Sequence, residues 1–110
     1  SAASDVYKRQ VVNDEGLVLF SSFDEGENEG DYAACTGEIL LSAHRVSNIF
    51  KPGKQDLILF AFDESFFILI PLVQGFVLLV RYNAAIKLGT AIAYSKLIAK
   101  RMDTLLEEKK

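Results

Sequence analysis

The residues able to do chemistry are few, and their spacing does not suit it. His44 is the only histidine and stands beside Arg45 in a helical stretch, AACTGEILLSAHRVSNIF. A metal site needs further His, Cys or carboxylate ligands at a spacing that turns them toward one point, and His44 has no such set. A surface or interface histidine is the reading that remains. Cys35 and His44 would form a thiol–imidazole pair if they met, but nine residues of helix hold them roughly 13 Å apart along the axis. Asp63 and Glu64 are adjacent carboxylates, the kind that can share acid–base work. They fall in a tight turn, where acidic residues ordinarily serve turn formation and solubility. Gly26, Gly30 and Gly53 are not followed by the Gly-Lys-Ser/Thr that a phosphate loop requires. The loop Asp24–Asp31, with five acidic residues and no basic one, could steer a basic partner or loosely hold a cation, though a solvated loop is the ordinary reading. No catalytic residue, metal ligand or cofactor is expected.

Composition narrows the rest. Half of the 110 residues are hydrophobic and a quarter are charged, enough for one globular domain with a real core. A net charge of −3, with no basic cluster or aromatic–basic interleaving, argues against nucleic acid as the main partner. The single cysteine, Cys35, cannot close an internal disulfide, so a reducing, cytoplasmic setting is the default. Phe66–Val80 is the most membrane-like stretch, but it has only 15 residues and contains Pro71, Gln74 and Gly75. It is too short and too interrupted to span. The first ten residues, SAASDVYKRQ, show no clear periodicity, and DVYKRQ resembles a translated library adapter. Ser1–Gln10 is therefore set apart, with the domain expected over residues 11–107 and a charged tail at 108–110.

The elements that would position any site are legible from apolar patterning. Asp56–Tyr82 holds three apolar segments, Leu57–Phe62, Phe66–Val73 and Phe76–Tyr82, divided by very short polar breaks. Such breaks permit only antiparallel hairpins, because a parallel crossover needs a dozen or more residues. The segments do not alternate apolar with polar, so both faces of this meander must be covered. Upstream, Val11–Val12, the turn Asn13-Asp14-Glu15-Gly16 and Leu17–Ser22 read as a hairpin whose glycine supplies positive φ. A helix is expected from an Asp31 cap to about Ile49, stopped by Lys51-Pro52-Gly53-Lys54. Its apolar stripe is Ala33, Leu40, Ala43, Val46 and Phe50, widened by Ile39, Ser42 and Ile49, with Ala34, Cys35 and Gly37 forming a small-residue surface. A final helix, capped by Asn83 and running to about Glu107, carries the stripe Leu88, Ala91, Ile92, Ser95, Ile98, Met102 and Leu105. The order β-β-α-β-β-β-α supplies one helix for each face of a five-stranded antiparallel sheet. The fold class is thus α+β, in three layers.

This order, with the residues at its joints, resembles the Roadblock/LC7 family. The resemblance covers about Val11–Leu106 and rests on VVNDEGLVLFSS, the Ala- and Ser-containing central helix, the meander DLILFAFDESFFILIPLVQGFVLLV, and YNAAIKLGTAIAYSKLIAKRMDTLL. The Asp-Glu-Gly turn and the Leu88-Gly89 pair are its most family-like details. One departure is that family members usually open with a helix before the first strand, where this chain has Ser1–Gln10. The resemblance implies a non-enzymatic, dimeric scaffold, pairing with itself or with a related Roadblock-type subunit through the third strand and the central helix. It also implies a small Ras-like GTPase as partner, or an adaptor role in a signalling or motor complex. Carried onto this chain, the joint comprises Leu57, Ile58, Leu59, Phe60, Ala61 and Phe62 with Cys35, Ile39, Ser42 and Val46. His44 and Arg45 are the partner-contact candidates, and Arg45 and Arg81 are the arginines to mutate.

The strand Leu57–Phe62 points the same way on physical grounds. It is an outer strand of the meander unless the first hairpin pairs with it, and an apolar edge without proline, lysine or bulge needs a cover. Symmetric pairing with a second copy is the simplest one. The competing class is a PAS-like or longin-related small-molecule sensor whose sheet cups a ligand. That reading requires polar anchors converging on a cavity, and the meander is too uniformly apolar to offer many.

Overall fold

Five strands and two long helices build the described residues. The computed structural model describes residues 7–23 and 28–108. In order they form β1 (Tyr7–Asn13), β2 (Val18–Ser21), α1 (Glu29–Phe50), β3 (Ile58–Ala61), β4 (Ser65–Pro71), a 3-10 turn (Val73–Gly75), β5 (Phe76–Asn83) and α2 (Leu88–Glu108). The strands make one antiparallel sheet in the order β2-β1-β5-β4-β3, and the expected α+β class with a five-stranded sheet is the one observed. The first hairpin docks on β5, so among the described residues β3 has β4 as its only neighbour and lies at an edge.

The non-alternating strands are explained by what lies on each face. On one face Phe66, Ile68 and Ile70 of β4 and Leu78, Val80 and Tyr82 of β5 pack under Ala91, Ile98, Ala99 and Leu106 of α2. On the other, Leu69, Val77 and Leu79 pack with Val12 and Phe23 under Ala33 and Leu40 of α1. Each such aliphatic or aromatic side chain contributes roughly 1.5–3 kcal/mol when fully buried. The second cover is the thinner one. Tyr32, Ile39, Ile58, Phe60 and Phe67 are only partly buried against it, because α1 lies over β1 and β2 rather than across the whole sheet.

Several boundaries differ from the sequence reading. Tyr7–Gln10, placed outside the domain by that reading, form the first half of β1 and pair with β5 from Tyr7↔Tyr82 to Gln10↔Leu79. Gln10 is fully buried, its amide donating to the Glu29 carbonyl at 3.0 Å. Residues 1–6, residues 24–27 of the acidic loop, and Lys109–Lys110 of the tail lie outside the described residues, whereas Glu108 ends α2. The cap of α1 is Asn28, and Asp31 sits in the first turn, where a carboxylate still complements the helix dipole. Asn83 ends β5 and does not cap α2: its Oδ1 accepts the Ala85 N–H at 2.9 Å, closing the turn that leads to the helix. On α2 the buried stripe contains Leu106 rather than Leu105; one residue is about 100° around a helix, enough to move a side chain from sheet to solvent.

Two local devices set the geometry. In the β1–β2 turn Asn13 Oδ1 accepts the N–H groups of Glu15 and Leu17 at 3.0 and 2.9 Å. Gly16 has φ +83°, and a Cβ there would lie 3.2 Å from the Ala33 carbonyl oxygen. The glycine thus both permits the turn and lets it rest on α1. Under α2, the Tyr82 hydroxyl lies 2.7 Å from Ser95 Oγ and donates to the Ala91 carbonyl at 3.2 Å, so these buried polar groups are satisfied.

Candidate interaction surface and cleft

The 22 residues of α1 span about 33 Å at 1.5 Å per residue, and among the described residues only its first half is buried. Its buried residues are Ala33, Thr36 and Leu40. Beyond them the apolar stripe continues through Val46, Ile49 and Phe50, but Ile49 and Phe50 are 71% and 72% exposed. Leu41 is exposed as well. A helix carrying an apolar stripe past the edge of its sheet has an unpartnered face. Two grooves separate α1 from β3 and β4. One of about 740 Å³ is lined by Ile39, Ser42, Ala43 and Val46 from the helix and Leu57, Ile58 and Phe60 from the strand side. The other, of about 850 Å³, includes Tyr32, Cys35 and Ile39 opposite Phe60, Phe62, Phe67 and Arg81.

Eight of the ten residues expected at a joint therefore line the two grooves: Cys35, Ile39, Ser42, Val46, Leu57, Ile58, Phe60 and Phe62. Leu59 and Ala61 do not. They pair with Ile68 and Phe66, whose side chains lie under α2, and so face the other side of the sheet. His44 and Arg45 are exposed on α1 beside the stripe. Cys35 is also exposed. Asp63 and Glu64 lie exposed in the β3–β4 turn. Among the described residues no three His, Cys, Asp or Glu side chains come together as a metal site, and no helix is long and apolar enough to cross a membrane.

Sequence reasoning missed one constellation. Val77, Leu79 and Arg81 share the α1-facing side of β5, so Arg81 is a cation on the inner face, with Lys8 of β1 as its cross-strand neighbour. It is half-buried, donates from Nη1 to the Tyr32 hydroxyl at 2.7 Å, and lies 5.6 Å from the centre of the Phe67 ring. Tyr32 in turn stacks on Phe23 with centroids 4.3 Å apart. The signal was present: an arginine in phase with two buried aliphatics on a strand whose two faces are both covered.

No protein-family model and no curated protein matches the chain. Solved structures do. MglB of Myxococcus xanthus superimposes with a TM-score of 0.84 at 11% identity, covering 96% of this chain and 86% of that one. The Roadblock/LC7 domain from Streptomyces avermitilis gives 0.79 at 13% identity, covering 91% and 84%. The fold is that of the Roadblock/LC7 domain. An MglB solved in a tetrameric arrangement gives 0.84 at 10% identity, covering 94% and 79%. In this Roadblock/LC7 fold the open edge β3 and the uncovered half of α1 lie on either side of one groove.

Proposed function

We propose that the protein is a non-enzymatic platform that pairs with a second copy, or with a related subunit, through β3 and the C-terminal half of α1. The joined surface would receive a small Ras-like GTPase, or the subunits of a signalling or motor complex, in the cytoplasm. The observation that carries this reading is the continuity of the two unpartnered features. A strand edge offers unpaired backbone groups, and the helix beside it offers an apolar stripe. A two-fold pairing would satisfy both at once. The likeness to MglB structures, one of them in a tetrameric arrangement, supports self-association.

The GTPase is the partner class that the family resemblance implies. His44 and Arg45 are exposed along α1 next to the stripe, which supports them as candidates to meet it. Arg81 is not placed for insertion into a partner, since Tyr32 and Phe67 hold it beneath the helix. Regulation would therefore proceed by repositioning the partner's own loops. Light scattering on the purified chain tests the pairing: a dimer at micromolar concentration is expected, and a monomer throughout that range, alone and with co-expressed Roadblock-type subunits, overturns it. Capture of a small GTPase on Arg45→Ala and wild-type chains, followed by a nucleotide-hydrolysis assay, tests the partner.

A further inference from the structure

The larger groove has a feature that a joint between subunits does not call for. Across the α1-facing side of the sheet, Phe60 of β3 pairs with Phe67 of β4, and Phe67 with Arg81 of β5. This row forms the floor of the 850 Å³ cleft, within the range of small-molecule sites. Ile39, Leu69 and Leu79 add apolar wall, Phe62 sets its ring edge-on to Phe67 at 6.1 Å, and Asn28 and Asp31 lie at the helix-start end. The Arg81 guanidinium is fixed by two contacts, the Tyr32 hydroxyl and the Phe67 ring face. Neither contact neutralises its charge. Among the described residues no carboxylate pairs with it. A guanidinium has five N–H donors in a planar fork, and one of them is committed to Tyr32.

We propose that this cleft binds an amphipathic organic anion, a carboxylate attached to a flat apolar body. The carboxylate would take the N–H pair that Tyr32 leaves unused, in the two-point geometry that guanidinium and carboxylate share. The apolar body would lie along Phe60, Phe62 and Phe67, where ring faces and edges are available for stacking. Asp31, exposed to water at the other end, disfavours the reverse orientation. The site does not depend on self-association, although Phe60 and Ile39 line both grooves. If the chain pairs through β3, occupancy and pairing are therefore linked, each altering the other by the same factor.

Cys35 is the only cysteine of the chain and lines the cleft, so its reaction with a neutral maleimide reports on occupancy. The full chain is titrated with 1-naphthoate and, separately, with the uncharged isostere 1-naphthalenemethanol. The comparison is made at two protein concentrations a decade apart, and the ligand effect is read as a ratio at each. Naphthoate is expected to slow the reaction several-fold and saturably, with the alcohol at least tenfold weaker. Arg81→Gln, confirmed folded by its circular dichroism, is expected to abolish that preference. The proposal is overturned if the two compounds protect Cys35 equally in the wild type, if neither protects at millimolar concentration, or if Arg81→Gln keeps the preference. The wild-type comparison stands by itself should the variant not fold.

Discussion

Ile49→Lys separates the joint from the fold. Ile49 is 71% exposed and makes no part of either core, so the substitution removes little that the described residues bury. A lysine one residue before the end of α1 also complements the negative end of the helix dipole, which is worth a few tenths of a kcal/mol. Stability of the isolated chain should therefore stay the same or rise slightly. In a two-fold joint the effect reverses. Burying an isoleucine completely is worth about 1.5–3 kcal/mol, so an exposed fraction of 71% leaves about 1–2 kcal/mol per chain to be gained. Symmetry doubles this to about 2–4 kcal/mol, a roughly 30- to 1,000-fold weaker dimer. Sedimentation equilibrium gives the dissociation constants, and urea melts at a concentration below the smaller of them give the stability of the single chain. A dimer unaffected by Ile49→Lys refutes the placement of α1 in the joint. A variant whose isolated chain loses more than about 1 kcal/mol refutes the claim that this part of the helix has no partner within its own chain.

Three further outcomes follow from the fold. Gly16→Ala imposes a left-handed backbone on a residue with a side chain and drives its Cβ to 3.2 Å from the Ala33 carbonyl oxygen; urea melts should show a loss of about 2–3 kcal/mol, and a loss below about 0.5 would show that the hairpin turn moves freely on α1. Tyr82→Phe and Ser95→Ala should each cost about 1–2 kcal/mol, because each leaves a buried partner under-satisfied, and the double variant should cost less than the two together. Strict additivity in that cycle would mean the 2.7 Å contact carries no coupling. Lys96→Gln removes the ion pair with Asp56, whose side chains are 49% and 72% exposed, and should change stability by less than about 0.5 kcal/mol at any salt concentration.

The sheet was legible because its constraint was unusual. Three apolar segments joined by breaks too short for crossovers admit only a meander, and apolar residues on both faces require two covers. Strand order was not legible in the same way. Whether the hairpin of β1 and β2 docks on β3 or on β5 depends on packing between distant elements, and local pattern carries no trace of it. Tyr7–Gln10 escaped for a related reason: Lys8, Arg9 and Gln10 look like a polar leader, yet a strand in the sheet's interior needs only backbone partners, and β5 and β2 supply them. Gln10 is only half-satisfied inside: its amide donates to the Glu29 carbonyl, while its buried Oε1 meets no partner among the described residues. Leu105 was taken for core in place of Leu106 because a stripe that long drifts around a straight helix, so its last turn is the least determined by spacing. The grooves could be anticipated only in part. Spacing marks which residues of α1 share a face, but it does not tell how far along the helix the sheet extends beneath it.

That last quantity links the fold to its use. The two helices are nearly equal in length, 22 and 21 residues, yet they cover their faces very differently. On α2 the buried positions run from Ala91 to Leu106, almost end to end, whereas on α1 they stop at Leu40. The later turns of α1, lined with Val46, Ile49 and Phe50, expose apolar surface that lowers solubility and has no cover among the described residues. Were α1 a core helix alone, its stripe should turn polar after Leu40. The stripe instead continues, and it does so beside a groove that ends on the open strand edge β3. The surplus therefore has a direction, toward β3, and a subunit pairing there would complete the cover that α1 begins. The Arg81 cleft is the exception within this surface, since a charge held at the floor of an apolar groove would have to be desolvated by an apolar partner at considerable cost. Its occupant must bring an anion with it.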